Sequence, residues 1–239
     1  MPLPKIATPV YELELPSTGD KIQYRPFLVK EEKVLVIALE SEDTKQITTA
    51  IKNVIKNCIQ TKGIKVENLP TFDIEFLFLN IRGKSVGEEI EVNITCPDDG
   101  ETQVKHMINL DDIHVQKNDE HTNQIKIDKN IMMEMKYPSL DQFIKNNFDF
   151  DDGNAMDQSF ELIGTCIDKI YTEDEVWATE DCSKKEITEF LEQMNSSQFK
   201  EIEKFFETMP KLSHTIKVKN PNTKVVSDVV VEGLAGFFA

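Results

Sequence analysis

Glycine is scarce in this chain, at 9 of 239 residues, against a usual share of about 7%. That shortage disfavours an enzyme built on glycine-rich phosphate loops. No window approaches the roughly 18 consecutive apolar residues that a membrane-spanning helix needs. The opening Met-Pro-Leu-Pro-Lys-Ile-Ala has no basic run leading into an apolar stretch, so no secretory signal is expected. Cysteine is sparse and scattered, at Cys58, Cys96, Cys166 and Cys182, without the spacing of a disulfide framework, which suits a reducing cytosol. Basic residues are in deficit: 27 Lys and Arg stand against 43 Asp and Glu, for a net charge of −16. A chain of that sign repels phosphate backbones, so nucleic acid is not expected as a ligand. Neither an internal repeat nor a low-complexity tract is visible.

Apolar side chains make up 39% of the sequence and charged ones 29%, which marks a folded chain rather than a disordered one. Residues 10–27 alternate as a β-hairpin about the turn Pro16 to Gly19. Residues 30–40 are read as a helix, although Val34 to Ile37 would also suit a buried strand. Ile47, Ile51, Val54, Ile55, Cys58 and Ile59 share one helical face over 43–60, with Gly63 beyond it as a stop. Residues 71–82 predict a helix apolar nearly all round, capped by Thr71 and central to the core.

From 88 to 136 the period becomes two, which predicts a small antiparallel sheet interrupted by a polar loop near 116–123. A capping box of Ser139 and Gln142 opens a short helix through Asn146, followed by the acidic loop Asp149 to Asp152. Met156, Phe160, Ile163, Ile167 and Ile170 predict one long helix. Ser183 with Glu186 caps another, and residues 197–209 a third. The turn Asn220 to Thr223 joins a closing hairpin. The fold class expected is α+β: an N-terminal hairpin with helices (1–87), a small antiparallel β region (88–137), and a helical region with a C-terminal hairpin (138–239). The three stretches are separate domains or parts of one composite domain.

Candidate sites are few. Cys96-Pro-Asp-Asp sits at a hairpin tip where a zinc knuckle would carry a second cysteine, but Asp99 stands there, and no other cysteine pair completes four donors. His106, His114 and His121 lack ligand spacing. Cys58 and Cys166 lie on apolar helical faces, and Asp181 beside Cys182 disfavours a thiolate. The acidic pairs Asp98-Asp99 and Asp111-Asp112 read as solvated surface, as do the loop near Asp151 and Glu173-Asp174-Glu175. Arg82-Gly83-Lys84 reads as a helix C-terminus with basic residues on its dipole. The apolar tail with Leu234, Phe237 and Phe238 needs covering by its own domain or by a partner. No catalytic residue, metal or cofactor is expected.

Several stretches together resemble the baseplate hub proteins of T-even-like contractile-tailed phages. They are the opening Pro-Leu-Pro-Lys-Ile-Ala-Thr-Pro-Val-Tyr-Glu-Leu, residues 22–35 and 69–88, Gln-Phe-Lys-Glu-Ile-Glu-Lys-Phe-Phe-Glu-Thr-Met-Pro-Lys-Leu (198–212), and Glu-Gly-Leu-Ala-Gly-Phe-Phe (232–238). The resemblance runs in order through nearly the whole chain. It implies a non-enzymatic protein that builds, or assists in building, the central hub of the tail baseplate. The partners it implies are other hub proteins or hub assembly factors, met in the host cytoplasm or in the virion. Three surfaces are then expected to carry contacts: the N-terminal hairpin, the segment Ile81 to Glu88 with Arg82 and Lys84, and the tail with Leu234, Phe237 and Phe238. The alternative from the residues alone is a small metal-dependent hydrolase using the acidic loop near Asp151. A host-directed mimic of nucleic acid would need carboxylates spaced along one face, and here they are scattered.

Overall fold

Alternating Tyr11, Leu13 and Leu15, then Ile22 and Tyr24, make the first hairpin. Strand β1 (Tyr11–Glu14) pairs antiparallel with β2 (Lys21–Tyr24), and Gly19 supplies the left-handed turn residue at φ 77°. This is a computed structural model, and it describes residues 6–41, 43–140, 155–233 and 236, less the side chains of 44 and 155–158. The expected helix from Ser139 therefore lies outside the described residues beyond Leu140. The acidic loop Asp149 to Asp152 and the tail residues Leu234, Phe237 and Phe238 lie outside them entirely.

The chain folds as two compact units. The first comprises Met1–Val66, Phe72–Gln116 and Lys211–Ala239; the second comprises Glu67–Thr71 and Lys117–Pro210.

In the first unit the residues 30–40 do form a helix, α1 (Val29–Glu40), and α2 follows at Thr44–Cys58. Asp43 caps α2 by accepting the Lys45 and Gln46 N–H groups at 2.9 and 3.2 Å. Its inward face is Ala50, Ile51, Val54, Ile55 and Cys58. The hairpin is tied to the end of α2, where the Arg25 N–H donates to the Cys58 carbonyl at 3.0 Å and the Gln60 N–H to that of Gln23 at 2.8 Å. At the start of α1, Glu31 is buried and meets Arg25 at 3.1 Å while accepting the Leu28 N–H at 2.8 Å. Burial opposes the Glu31 charge, yet the Leu28 N–H and Arg25 together hold its carboxyl below the usual value.

Helix α3 runs from Thr71 to Val86 and buries Phe72, Ile74, Leu77, Phe78, Leu79 and Ile81, which occupy all sides of it. The period-two stretch gives β3 (Glu89–Thr95) and β4 (Gln103–Asn109), a hairpin of two seven-residue strands. The next strand, β5 (His114–Gln116), does not extend that hairpin. It pairs with β10 (Lys211–Lys219), which pairs on its other side with β11 (Val226–Glu232). Inward residues of both sheets close one core with α3: Ile90, Val92 and Ile94 from β3, Leu212, Ile216 and Val218 from β10, and Leu79.

The second unit is a four-stranded antiparallel sheet in the order β6 (Gln124–Lys126), β7 (Met132–Met135), β8 (Ile167–Tyr171), β9 (Val176–Ala178). Its helices are α4 (Ala155–Cys166), α5 (Lys184–Glu192) and α6 (Ser196–Thr208). The long helix expected through Ile170 stops at Cys166, and Ile167 and Ile170 belong to β8 instead. The reason is tertiary: β8 is paired on both edges, and the Lys136 N–H donates to the Cys166 carbonyl at 2.7 Å. Ladder bonds on two sides and β-branched side chains outweigh the helical spacing. The Ser183–Glu186 capping box opens α5, and an unforeseen one of Asn195 and Gln198 opens α6. Gly164 lets α4 approach α5, since a Cβ there would stand 3.1 Å from Ile187 Cγ2. The core gathers Ile125, Met133, Cys166, Ile167, Leu191, Ile202 and Phe205. At its edge His121 bridges two hydroxyls, Nδ1 to Thr208 at 2.9 Å and Nε2 to Tyr137 at 3.0 Å, with its ring 5.1 Å from that of Phe205. Among the described residues no helix is long and apolar enough to cross a membrane.

Leu79→Ala removes a 1% exposed side chain from the shared core and is expected to cost about 2–5 kcal/mol in urea unfolding. Burial lowers the His121 pKa, so the folded state prefers the neutral ring. Its contribution is whole above the ordinary imidazole value of about 6.5 and is lost as pH falls through the lower folded value. Urea midpoints measured from pH 7.5 down to 5 should drop more steeply for the native chain than for His121→Gln.

Candidate interaction surfaces

The last turns of α3 end beside the N-terminal hairpin, so two of the three expected surfaces meet. The turn of the hairpin is anchored to the first turn of α3. Both the N–H and the hydroxyl of Ser17 donate to Asp73, the former at 3.1 Å, and Asp73 is fully buried. Farther along, the Phe27 N–H donates to the Ser85 hydroxyl at 2.9 Å, which itself donates to the Ile81 carbonyl at 2.5 Å. Lys84 Nζ stands 5.8 Å from the centre of the Tyr11 ring and pairs with Glu88 one turn on. That carboxylate bond raises the Lys84 pKa. The pair is partly exposed and holds its partners only weakly. Arg82 is half-buried, and burial lowers its pKa.

Gly83 allows this end of α3 to lie on Leu110, since a Cβ would come within 3.2 Å of Leu110 Cδ1. Gly87, at φ 128°, turns the chain into β3. The result is a shallow dent lined by Leu79, Asn80, Gly83, Lys84, Glu88 and Asp111.

The hairpin tip beyond Cys96 is a structural clamp. Asn220, at 1% exposure, donates to Asp98 at 3.0 Å and to Asp99 at 2.8 Å. Its side-chain Oδ1 accepts the Asn222 N–H at 2.8 Å. Thr223 donates to Asp98, and Asn222 to the Thr102 hydroxyl at 3.0 Å. The turn of one hairpin thus holds the turn of the other. Asp98 is kept ionised below the usual range by Thr223 and Asn220. Asp99 is kept so by Thr102, Asn220 and the Glu101 N–H. The pair read as solvated surface is exposed, yet it also fastens β3–β4 to β10–β11.

Three of the four thiols are buried and disfavoured as thiolates. Burial pushes Cys58 up to about 11 and Cys166 up to about 12, and it also raises Cys96, with Asp98 and Asp99 adding to the effect. Cys182 is half-exposed and donates to the Ala178 carbonyl at 3.4 Å. Among the described residues no three His, Cys, Asp or Glu side chains converge as metal ligands. Asp73 and Asn220 were not singled out from the sequence. The signals were an acid in the first turn of a mostly apolar helix, and an Asn at the head of a turn.

The described residues thus define a small α+β protein whose buried polar groups brace one element against another. The chain belongs to the family of T4 bacteriophage base plate proteins, which it matches over residues 8–239. It is a baseplate protein of a T4-like phage, a structural class whose members work in contact with other baseplate proteins. No curated protein and no solved structure gives a significant match.

Asn220→Ala should remove the clamp and cost about 1–3 kcal/mol in urea unfolding, because it leaves hydrogen-bonding groups without their partner. The depressed carboxyl pKa values of Asp98 and Asp99 predict a contribution that is whole above the ordinary carboxylate range. It is lost as pH falls through their folded values, and N220A should flatten that acid limb.

Proposed function

We propose that this protein builds, or assists in building, the central hub of the tail baseplate, acting through protein–protein contacts and without catalysis. The observation that carries this reading is the family match over residues 8–239, which spans both units rather than one motif. The described polar clusters support it, because Asp73, Asp98, Asp99 and Asn220 are all engaged in holding the fold. The contact surfaces proposed are the N-terminal hairpin, the adjoining Ile81 to Glu88 with Arg82 and Lys84, and the tail residues Leu234, Phe237 and Phe238. The partners are other hub proteins or hub assembly factors, first met in the host cytoplasm. A net charge of −16 favours solubility and steers the chain toward a basic partner.

The test is mass spectrometry of washed virions beside infected-cell lysate, with baseplate intermediates sedimented from cells infected by phage unable to make the protein. Abundant peptides in intact particles identify a permanent hub subunit. Peptides confined to lysate complexes identify a released assembly factor. Normal, hub-bearing baseplates made without the protein would overturn the reading.

A further inference from the structure

Strand β11 is the edge of the β11–β10–β5 sheet. Its register with β10 is unbroken over seven residues. It contains neither proline nor lysine, and bulges, prolines and lysines are what ordinarily blunt an open edge. The Asn220 N–H donates to the Val225 carbonyl at 2.9 Å. Counted on by twos from there, Ser227, Val229 and Val231 turn their backbone groups toward β10. Val226, Asp228, Val230 and Glu232 therefore aim theirs at the open side. Among the described residues no other strand pairs with that side, and no further backbone bond reaches it. Beyond the strand, Gly236 lies against Val231, whose side chain is in the core. Val226 and Val230 are 58% and 55% exposed. The seven-residue strands β3 and β4 expose polar side chains instead, Met107 apart.

An unpaired edge accepts an extended strand, and the side chains of β11 select which one. Against a second β11 run antiparallel, only residues that both face the open side can exchange hydrogen bonds. The full seven-residue overlap sets Val229 against its own copy, Asp228 against Val230 and Val226 against Glu232. A slip of two residues either way sets Asp228 against Asp228 or against Glu232, which like-charge repulsion opposes. The longest overlap is thus also the register that keeps the acids apart. Nor does this part of the chain share the net charge of −16, since Lys211 to Glu232 hold four lysines and two acids.

We infer that β11 pairs antiparallel with β11 of a second copy about a two-fold axis at Val229, joining two three-stranded sheets into one of six strands. The pairing goes beyond the hub reading and does not depend on it.

The test is sedimentation equilibrium of the full chain, native and with Val230→Glu or Val230→Lys. Val230 is exposed in the single copy, so circular dichroism and the thermal midpoint of both variants should match the native protein. In the pair it stands against Asp228 of the second copy. The native chain should form a dimer whose dissociation constant rises tenfold or more with V230E and does not rise with V230K. Raised salt should narrow the gap between the two variants. Cross-linking reads the register. In a non-hydrogen-bonded antiparallel pair the Cα atoms stand about 4.5 Å apart, within the reach of a disulfide. Mild oxidation should link Val229→Cys into a covalent dimer. It should leave Ser227→Cys, which faces Val231 of the second copy, no more linked than the native chain. A monomer at every concentration up to about 1 mM overturns the inference. So does a dimer that V230E and V230K weaken alike or not at all, or one that S227C links and V229C does not. So does a complex with another baseplate protein that V230E abolishes while the chain alone stays monomeric. None of these outcomes bears on the hub reading, which stands or falls on its own test.

Discussion

Helix α3 constrains the first unit more than any other element. It is apolar nearly all round, so most of its surface must be covered, and three separate stretches of chain meet that demand. The N-terminal hairpin is fixed to its beginning by Ser17 and Asp73. The segment before α1 is fixed to its end by Ser85. The two sheets built from β3–β4 and β5–β10–β11 close over Leu79. A buried carboxylate such as Asp73 would be costly without donors; with Ser17 donating twice it sets the position of the hairpin. Gly83 matters for the same reason, since a Cβ there would press on Leu110 Cδ1 at 3.2 Å.

The second unit obeys a similar rule with a different device. Its strands are short, and β8, between β7 and β9, carries the pairing. Helices α5 and α6 each open on a capping box, and that of α6 also reaches the sheet, where the Gln198 amide donates to the Ile127 carbonyl at 2.7 Å. In both units hydrogen-bonding side chains join elements that the hydrophobic pattern alone would leave loosely placed.

Local pattern made much of this legible. Period two marked β1–β2, β3–β4 and β10–β11, and the 3.6-residue period marked α2, α5 and α6, because each of those elements buries one face. The α+β class follows from them. Three features were hidden for physical reasons. Ile167 and Ile170 continue a helical spacing, yet strand pairing on both sides decides their state. Strand β5 has three residues and finds its partner almost a hundred positions later, which no local signal carries. Helix α1 carries the unbroken apolar run Val34 to Leu39, which also suits a buried strand, and the exposure of most of that run depends on what the rest of the chain leaves uncovered. For the candidate surfaces, proximity of Lys84 to Tyr11 depends on tertiary packing in the same way. The Asp98–Asp99 clamp was visible as a pair of acids but not as a fastening, because Asn220 approaches it from the far end of the chain.

The most direct measurement of the central claim is native-state hydrogen exchange along α3. If this helix is the element on which the first unit is assembled, the amides from Ile74 to Ile81 exchange last in that unit, and only through its global unfolding. Exchange of those amides ahead of the β3–β4 and β10–β11 hairpins would contradict the account.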